Sequence, residues 1–153
     1  MSFISRLKTA LQEINHEDCP QVPNPPGCKK RASVAVVLRV RPTFPQKPTY
    51  DQDRLASSAH TFQESLDGFF SQLWVQQGDP EVLLIKRAAR AGDRWTSHIA
   101  LPGGKRDNED SHDRATGERE TREETGLELD IDHCLYIGKL PERTLKTAWN
   151  NIP

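Results

Sequence analysis

Nine residues near the middle of the C-terminal half constrain this chain more than any others. They read Arg119-Glu120-Thr121-Arg122-Glu123-Glu124-Thr125-Gly126-Leu127. At about 100° per residue, a helix here places Glu120, Glu123 and Glu124 within about 100° of one face. Like charges at this spacing repel, so the segment needs compensation to stay helical. Some comes from within, through the i,i+4 pairs Glu118–Arg122 and Arg119–Glu123. A salt-bridged surface helix is one reading of such a pattern. The other is a divalent cation, which would relieve the repulsion. Oxygen-only donors of this kind suit Mg²⁺ or Mn²⁺ rather than zinc. Gly126 is placed to cap the helix C-terminus.

The rest of the chain supplies a frame for that helix. Ser33–Val40 (SVAVVLRV) and Glu81–Arg87 (EVLLIKR) predict strands. Between them, Thr61 and Glu64 have capping-box spacing, and Phe62, Leu66, Phe69, Phe70 and Leu73 predict an amphipathic helix. Gly78-Asp79-Pro80 ends it. Leu127–Ile131 and Cys134–Leu140 are shorter strand candidates. At the N-terminus, Phe3, Ile4, Leu7, Leu11 and Ile14 fall near helical spacing. Four prolines in residues 20–30 then predict an extended linker. We therefore expect residues 1–30 to be a helix plus linker, 31–140 the domain with a loop insertion at 43–60, and 141–153 an irregular tail. The first 30 residues are expected to add little core.

Composition narrows the function. The chain has 153 residues, enough for one domain, and a net charge of -1. That balance gives no bulk reason to bind nucleic acid. No apolar run reaches membrane-spanning length, and the N-terminus lacks the h-region of a secretory signal. Arg6 and Lys8 lie ahead of the first acid, Glu13, so a mitochondrial presequence competes with a plain surface helix. Asn151-Ile152-Pro153 is not a peroxisomal tripeptide. The three cysteines are not in CxxC spacing and read as free thiols of a reducing compartment. An intracellular protein is expected, with the cytoplasm first and mitochondrial or peroxisomal placement as alternatives. Apolar residues make up 35% of the chain, which is lean for a core.

Gly104 through Leu127 resembles the Nudix box, in which a glycine and an acidic stretch lead into Arg-Glu-x-x-Glu-Glu-x-Gly and an aliphatic residue. The front of the box departs from the common pattern. It is one residue longer, and Asp110, Ser111 and Asp113 cluster where a glutamate is usual. Leu101-Pro102-Gly103-Gly104-Lys105-Arg106-Asp107 and Leu83-Leu84-Ile85-Lys86-Arg87-Ala88 are similar to the coenzyme A diphosphatase-like branch. Trp95-Thr96-Ser97-His98-Ile99-Ala100 departs from that branch's His and Gly positions.

The resemblance implies an α/β fold, a Nudix-type α/β/α sandwich with a mixed sheet. It implies a Mg²⁺- or Mn²⁺-dependent hydrolase that cleaves the diphosphate of a small nucleotide substrate, coenzyme A among the candidates, with no nucleic-acid or membrane partner. It further implies Glu120, Glu123 and Glu124 as metal ligands and catalytic carboxylates, with Arg119 orienting a glutamate. Gly103 and Gly104 would let the loop pass close to the ligands, and Lys86, Arg87 and Lys105 would contact the diphosphate. Two features run against the pattern. Glu118 and Thr121 stand where the box helix usually packs aliphatic residues on the sheet, and Gly117 weakens the helix by about 1 kcal/mol against Ala. After Leu140 the family fold implies further strands and a second helix, so the sandwich is expected to be incomplete. The alternative function is accordingly a truncated, inactive scaffold, either a binding module or an unstable fragment.

Overall fold

The computed structural model describes residues 2–43, 61–89, 91–92, 97–130 and 134–144. Residues 44–60 of the expected insertion, Trp95 and Thr96 of the upstream motif, Ile131, and the tail from residue 145 lie outside the described residues. Helix α1 (Phe3–His16) starts at Ser2, whose side chain accepts the Ser5 N–H at 3.1 Å. Helix α2 (Phe62–Ser71) starts at the expected capping box: Thr61 Oγ1 accepts the Glu64 N–H, and the Glu64 carboxylate accepts the Thr61 N–H at 2.8 Å. A short helix α3 (Leu73–Gln76) follows.

The two strand predictions each resolve into two shorter strands with different partners. Ser33–Val40 becomes β1 (Ala32–Val34) and β2 (Leu38–Arg41); Glu81–Arg87 becomes β3 (Asp79–Val82) and β4 (Ile85–Lys86). β5 (Ile99–Ala100) and β6 (Gly103–Lys105) complete the described strands. β1 pairs with β6, β2 with β3, and β4 with β5, and all three pairings are antiparallel. The segment 32–41 therefore changes partner midway. Ala35 N–H reaches the Pro102 carbonyl, while the Val37 carbonyl accepts the Leu83 N–H. Residues 127–130 and 134–140, read as strands from composition, form no ladder in the described structure.

The core gathers Ile4, Val40, Leu66, Phe70 and Val75, with Leu7, Leu11, Phe62, Trp74, Leu135 and Ile137 packed against it. Phe69 stands edge-on to both Phe70 and Trp74, at centroid separations of 5.2 and 5.6 Å, the favoured arrangement for aromatic pairs. The N-terminal helix is thus part of the core, contrary to the expectation that the first 30 residues add little to it. Its amphipathic face lies on α2, with Lys8 paired to Asp67 at 2.6 Å. Val34, Val36, Leu38, Val82 and Leu84 stay exposed beyond this helical cover.

The helix carrying the glutamates, α4 (Asp113–Thr125), packs on β6 and β1. Its inward face is small rather than aliphatic: Thr116, Gly117 and Thr121 are the buried residues. Gly117 stands over Ser33, and Thr121 Oγ1 satisfies itself by donating to the Gly117 carbonyl at 2.7 Å. Glu118 avoids the sheet and pairs with Arg114 at 2.6 Å rather than with Arg122. That rotation removes the expected cost of a buried charge. Gly126 ends the helix in the left-handed region, φ 74°, with its N–H on the Arg122 carbonyl.

Candidate active site

The box helix is fastened to β6 along the face that bears the glutamates. The Gly103 N–H donates to Glu124 Oε2 at 2.9 Å. The Glu120 carboxylate lies over Gly104: a Cβ there would stand within 3.0 Å of both its oxygens. Gly103 itself has φ 150° and passes so close to Ser33 and Val34 that no side chain fits. Two consecutive glycines thus perform different tasks. Gly103 permits the strand geometry, and Gly104 leaves the space that Glu120 fills.

Arg119 organises the other carboxylates. Its Nε and Nη2 form a two-point bond to Asp110, both at 3.0 Å, and Nη2 also donates to the Lys105 carbonyl at 3.0 Å. Its Nη1 lies 3.2 Å from Glu120 Oε1 and 3.3 Å from Glu123 Oε1. The guanidinium is therefore engaged on protein groups, with two glutamates of its own helix at ion-pair distance. Planar two-point pairing of this kind fixes direction as well as position.

Asp110 is the residue that sequence reasoning did not single out. Its side chain is only 6% exposed and accepts from the Thr116 hydroxyl and the Asp107 N–H, both at 2.9 Å, besides Arg119. Bonding to Arg119, followed by the Asp107 N–H, holds its carboxyl well below the usual range. The partner carboxylate raises the Arg119 pKa in turn. The only signal in the sequence was an acidic cluster in the lengthened front of the box, and nothing there distinguished Asp110 from Asp107 or Asp113.

The remaining expected residues divide. Glu123 and Glu124 are exposed on the outer turn of α4, and Glu120 is half-buried. Lys105 is exposed on β6, next to the glycines. Lys86 and Arg87 belong to the β4–β5 pair, where the Arg87 N–H meets the His98 carbonyl. The structure therefore brings Arg119, Glu120, Glu123, Glu124, Gly103 and Gly104 together and sets Lys86 and Arg87 on a separate strand pair. The donor set of the helix face is all carboxylate oxygen, the type a hard divalent cation takes. Among the described residues, no three acidic, histidine or cysteine side chains converge on one point. Glu120 and Glu123 turn toward Arg119, and Glu124 turns to the backbone.

The family model described as the NUDIX domain matches residues 71–147, and the chain belongs to the Nudix family. An uncharacterized protein of Schizosaccharomyces pombe is 38% identical over 152 residues, covering 96% of this chain. The chain spans 38% of that relative's length. No solved structure matches. No helix among the described residues is long and apolar enough to cross a membrane.

Proposed function

We propose that this chain hydrolyses the diphosphate linkage of a small nucleoside diphosphate derivative with the help of Mg²⁺ or Mn²⁺. The observation that carries the reading is the seating of Glu120 over Gly104 and Glu124 on the Gly103 N–H, with Arg119 locked between Asp110 and the glutamates. Glu120, Glu123 and Glu124 are the residues that would hold the cation. When bound, it offsets the charge of the diphosphate and lowers the pKa of a bound water.

The chain's own contribution is positional and acid–base. Arg119 holds Glu120 and Glu123 at fixed directions, and the β6 backbone holds Glu124. A carboxylate of this face accepts the proton of the water attacking phosphorus. The phosphoanhydride P–O bond breaks, and two phosphorylated products leave. Lys105, Lys86 and Arg87 are the cations assigned to the diphosphate. Coenzyme A is the first substrate to test, because Leu83–Ala88 and Leu101–Asp107 resemble the corresponding branch.

The test is hydrolysis of coenzyme A, NADH and ADP-ribose with Mg²⁺, comparing the chain with Glu123→Gln. At least a tenfold loss of kcat is expected in the variant. Turnover untouched by the substitution would overturn the carboxylate mechanism. No turnover from a chain that melts cooperatively would favour the inactive scaffold.

A further inference from the structure

A second arginine among the described residues, outside the Nudix box, also has every donor accounted for. Arg31 stands just before β1. Its Nε and Nη2 bond the two oxygens of Asp113, at 3.3 and 3.0 Å. Its Nη1 donates to the Val22 carbonyl and to Asn24 Oδ1, each at 3.0 Å. Its Nη2 also donates to Glu142 at 2.6 Å. Five N–H groups thus meet five acceptors, which leaves this guanidinium no donor for a ligand.

Those acceptors come from three distant stretches. Val22 and Asn24 belong to the proline-rich linker, Glu142 to the segment after Leu140, and Asp113 is the first residue of α4. Glu142 closes the ring by accepting the Val22 N–H at 2.8 Å and pairing with Lys139. Asp113 is gripped from the other side as well, since Arg106 Nη1 reaches it at 3.2 Å. Arg106 also bonds the carbonyls of Asp110 and Ser111, and its N–H meets the Arg31 carbonyl. The two arginines stand at matching ends of the β1–β6 pair, whose register is Ala32↔Lys105.

Helix α4 is therefore held to the same strand pair at two places. Arg31 and Arg106 fix its N-terminus, and Gly103 and Gly104 meet its glutamates two to three turns later. A rigid helix fixed at one end has its rotation and rise set at the other. We infer that Arg31 is a positioning residue of the active site, setting through Asp113 the register of Glu120 and Glu124 over β6. The linker and residues 139–142 are the clasp that holds it. This inference rests on the hydrolase reading only for its consequence in catalysis; the register itself is measurable without turnover.

Amide hydrogen exchange of the intact chain is the test, comparing Arg31→Gln with wild type. The Gly103 amide, bonded to Glu124, is expected to exchange at least tenfold faster. The Leu83 amide, bonded to Val37 in the neighbouring pair, is expected to stay within about twofold, which a general loss of stability would not allow. If Arg31→Gln does not melt cooperatively, Asp113→Asn carries the same expectation. Unchanged Gly103 exchange in a folded variant overturns the inference, and so does equal acceleration of Gly103 and Leu83. Where wild type hydrolyses one of the three substrates, kcat is expected to fall tenfold in Arg31→Gln, with KM within about twofold and partial rescue by Arg31→Lys. A wild type without turnover but with selective Gly103 acceleration would remove the hydrolase reading and keep the positioning role.

Discussion

Gly103 and Gly104 are neighbours on one short strand, yet the same substitution is expected to act on them in opposite ways. In Gly103→Ala the new methyl group collides with the backbone of Ser33 and Val34, neither of which can yield, at a φ of 150° that side chains rarely adopt. Such backbone strain costs about 1–3 kcal/mol, and overpacking adds a similar amount. A total of about 4 kcal/mol corresponds to a fall in Tm of roughly 8–16 °C for a domain of this size. In Gly104→Ala the nearest atoms to the methyl group are those of the Glu120 carboxylate, the far end of a flexible side chain that can rotate away at the cost of its contact with Arg119. The folding penalty is then small, and reduced freedom of the unfolded chain offsets it by roughly 0.4–1 kcal/mol. The melting temperature should stay within about 3 °C of wild type on the same conversion. Catalysis, in contrast, loses the seat of Glu120, and kcat should drop by about ten- to a hundredfold, the scale for a misplaced group in an active site. Thermal melts and steady-state hydrolysis on both variants read the two effects separately. Full activity in Gly104→Ala, or a Tm loss matching that of Gly103→Ala, would refute the division of labour between the two glycines.

Other perturbations follow from the same contacts. Asp110→Asn keeps the shape but breaks the two-point pairing with Arg119; kcat should fall while KM changes little, and an unchanged kcat would show that Arg119 needs no partner. Glu142 is held down to about 2, chiefly by Lys139 and then by Arg31. A lowered carboxyl pKa adds stability that is fully present above the ordinary glutamate value and is lost as pH falls toward 2. Glu142→Gln should therefore melt below wild type at pH 7, with the gap narrowing below about pH 4.5 and closing only near pH 2. A gap independent of pH would sever it from ionisation. Thr61→Ala removes the cap of α2 and should cost about 1 kcal/mol in denaturant titrations, with hydrolysis unaffected.

Much of this molecule was legible in its residues. The helices at 3–16 and 62–71 follow from apolar periodicity, the second with its Thr61–Glu64 capping box, and the end of the helix at 113–125 follows from Gly126; the Ser2 cap was seen only in the structure. The grouping of Glu120, Glu123 and Glu124 on one face follows from helical geometry alone, and the Arg119–Glu123 pair from i,i+4 spacing. Tertiary structure decided what depends on partners far along the chain. It split each apolar run into two strands, because each half pairs with a different segment, and the run itself carries no mark of that change. It drew α1 into the core, although 15 residues separate it from β1. It chose Asp110 from an acidic cluster and turned Glu118 toward water, since burial depends on how a helix is rotated against the sheet. It also made Val22 and Asn24, read as linker, and Glu142, read as tail, into acceptors around Arg31. Local periodicity sets which residues share a face; only long-range packing sets what that face meets.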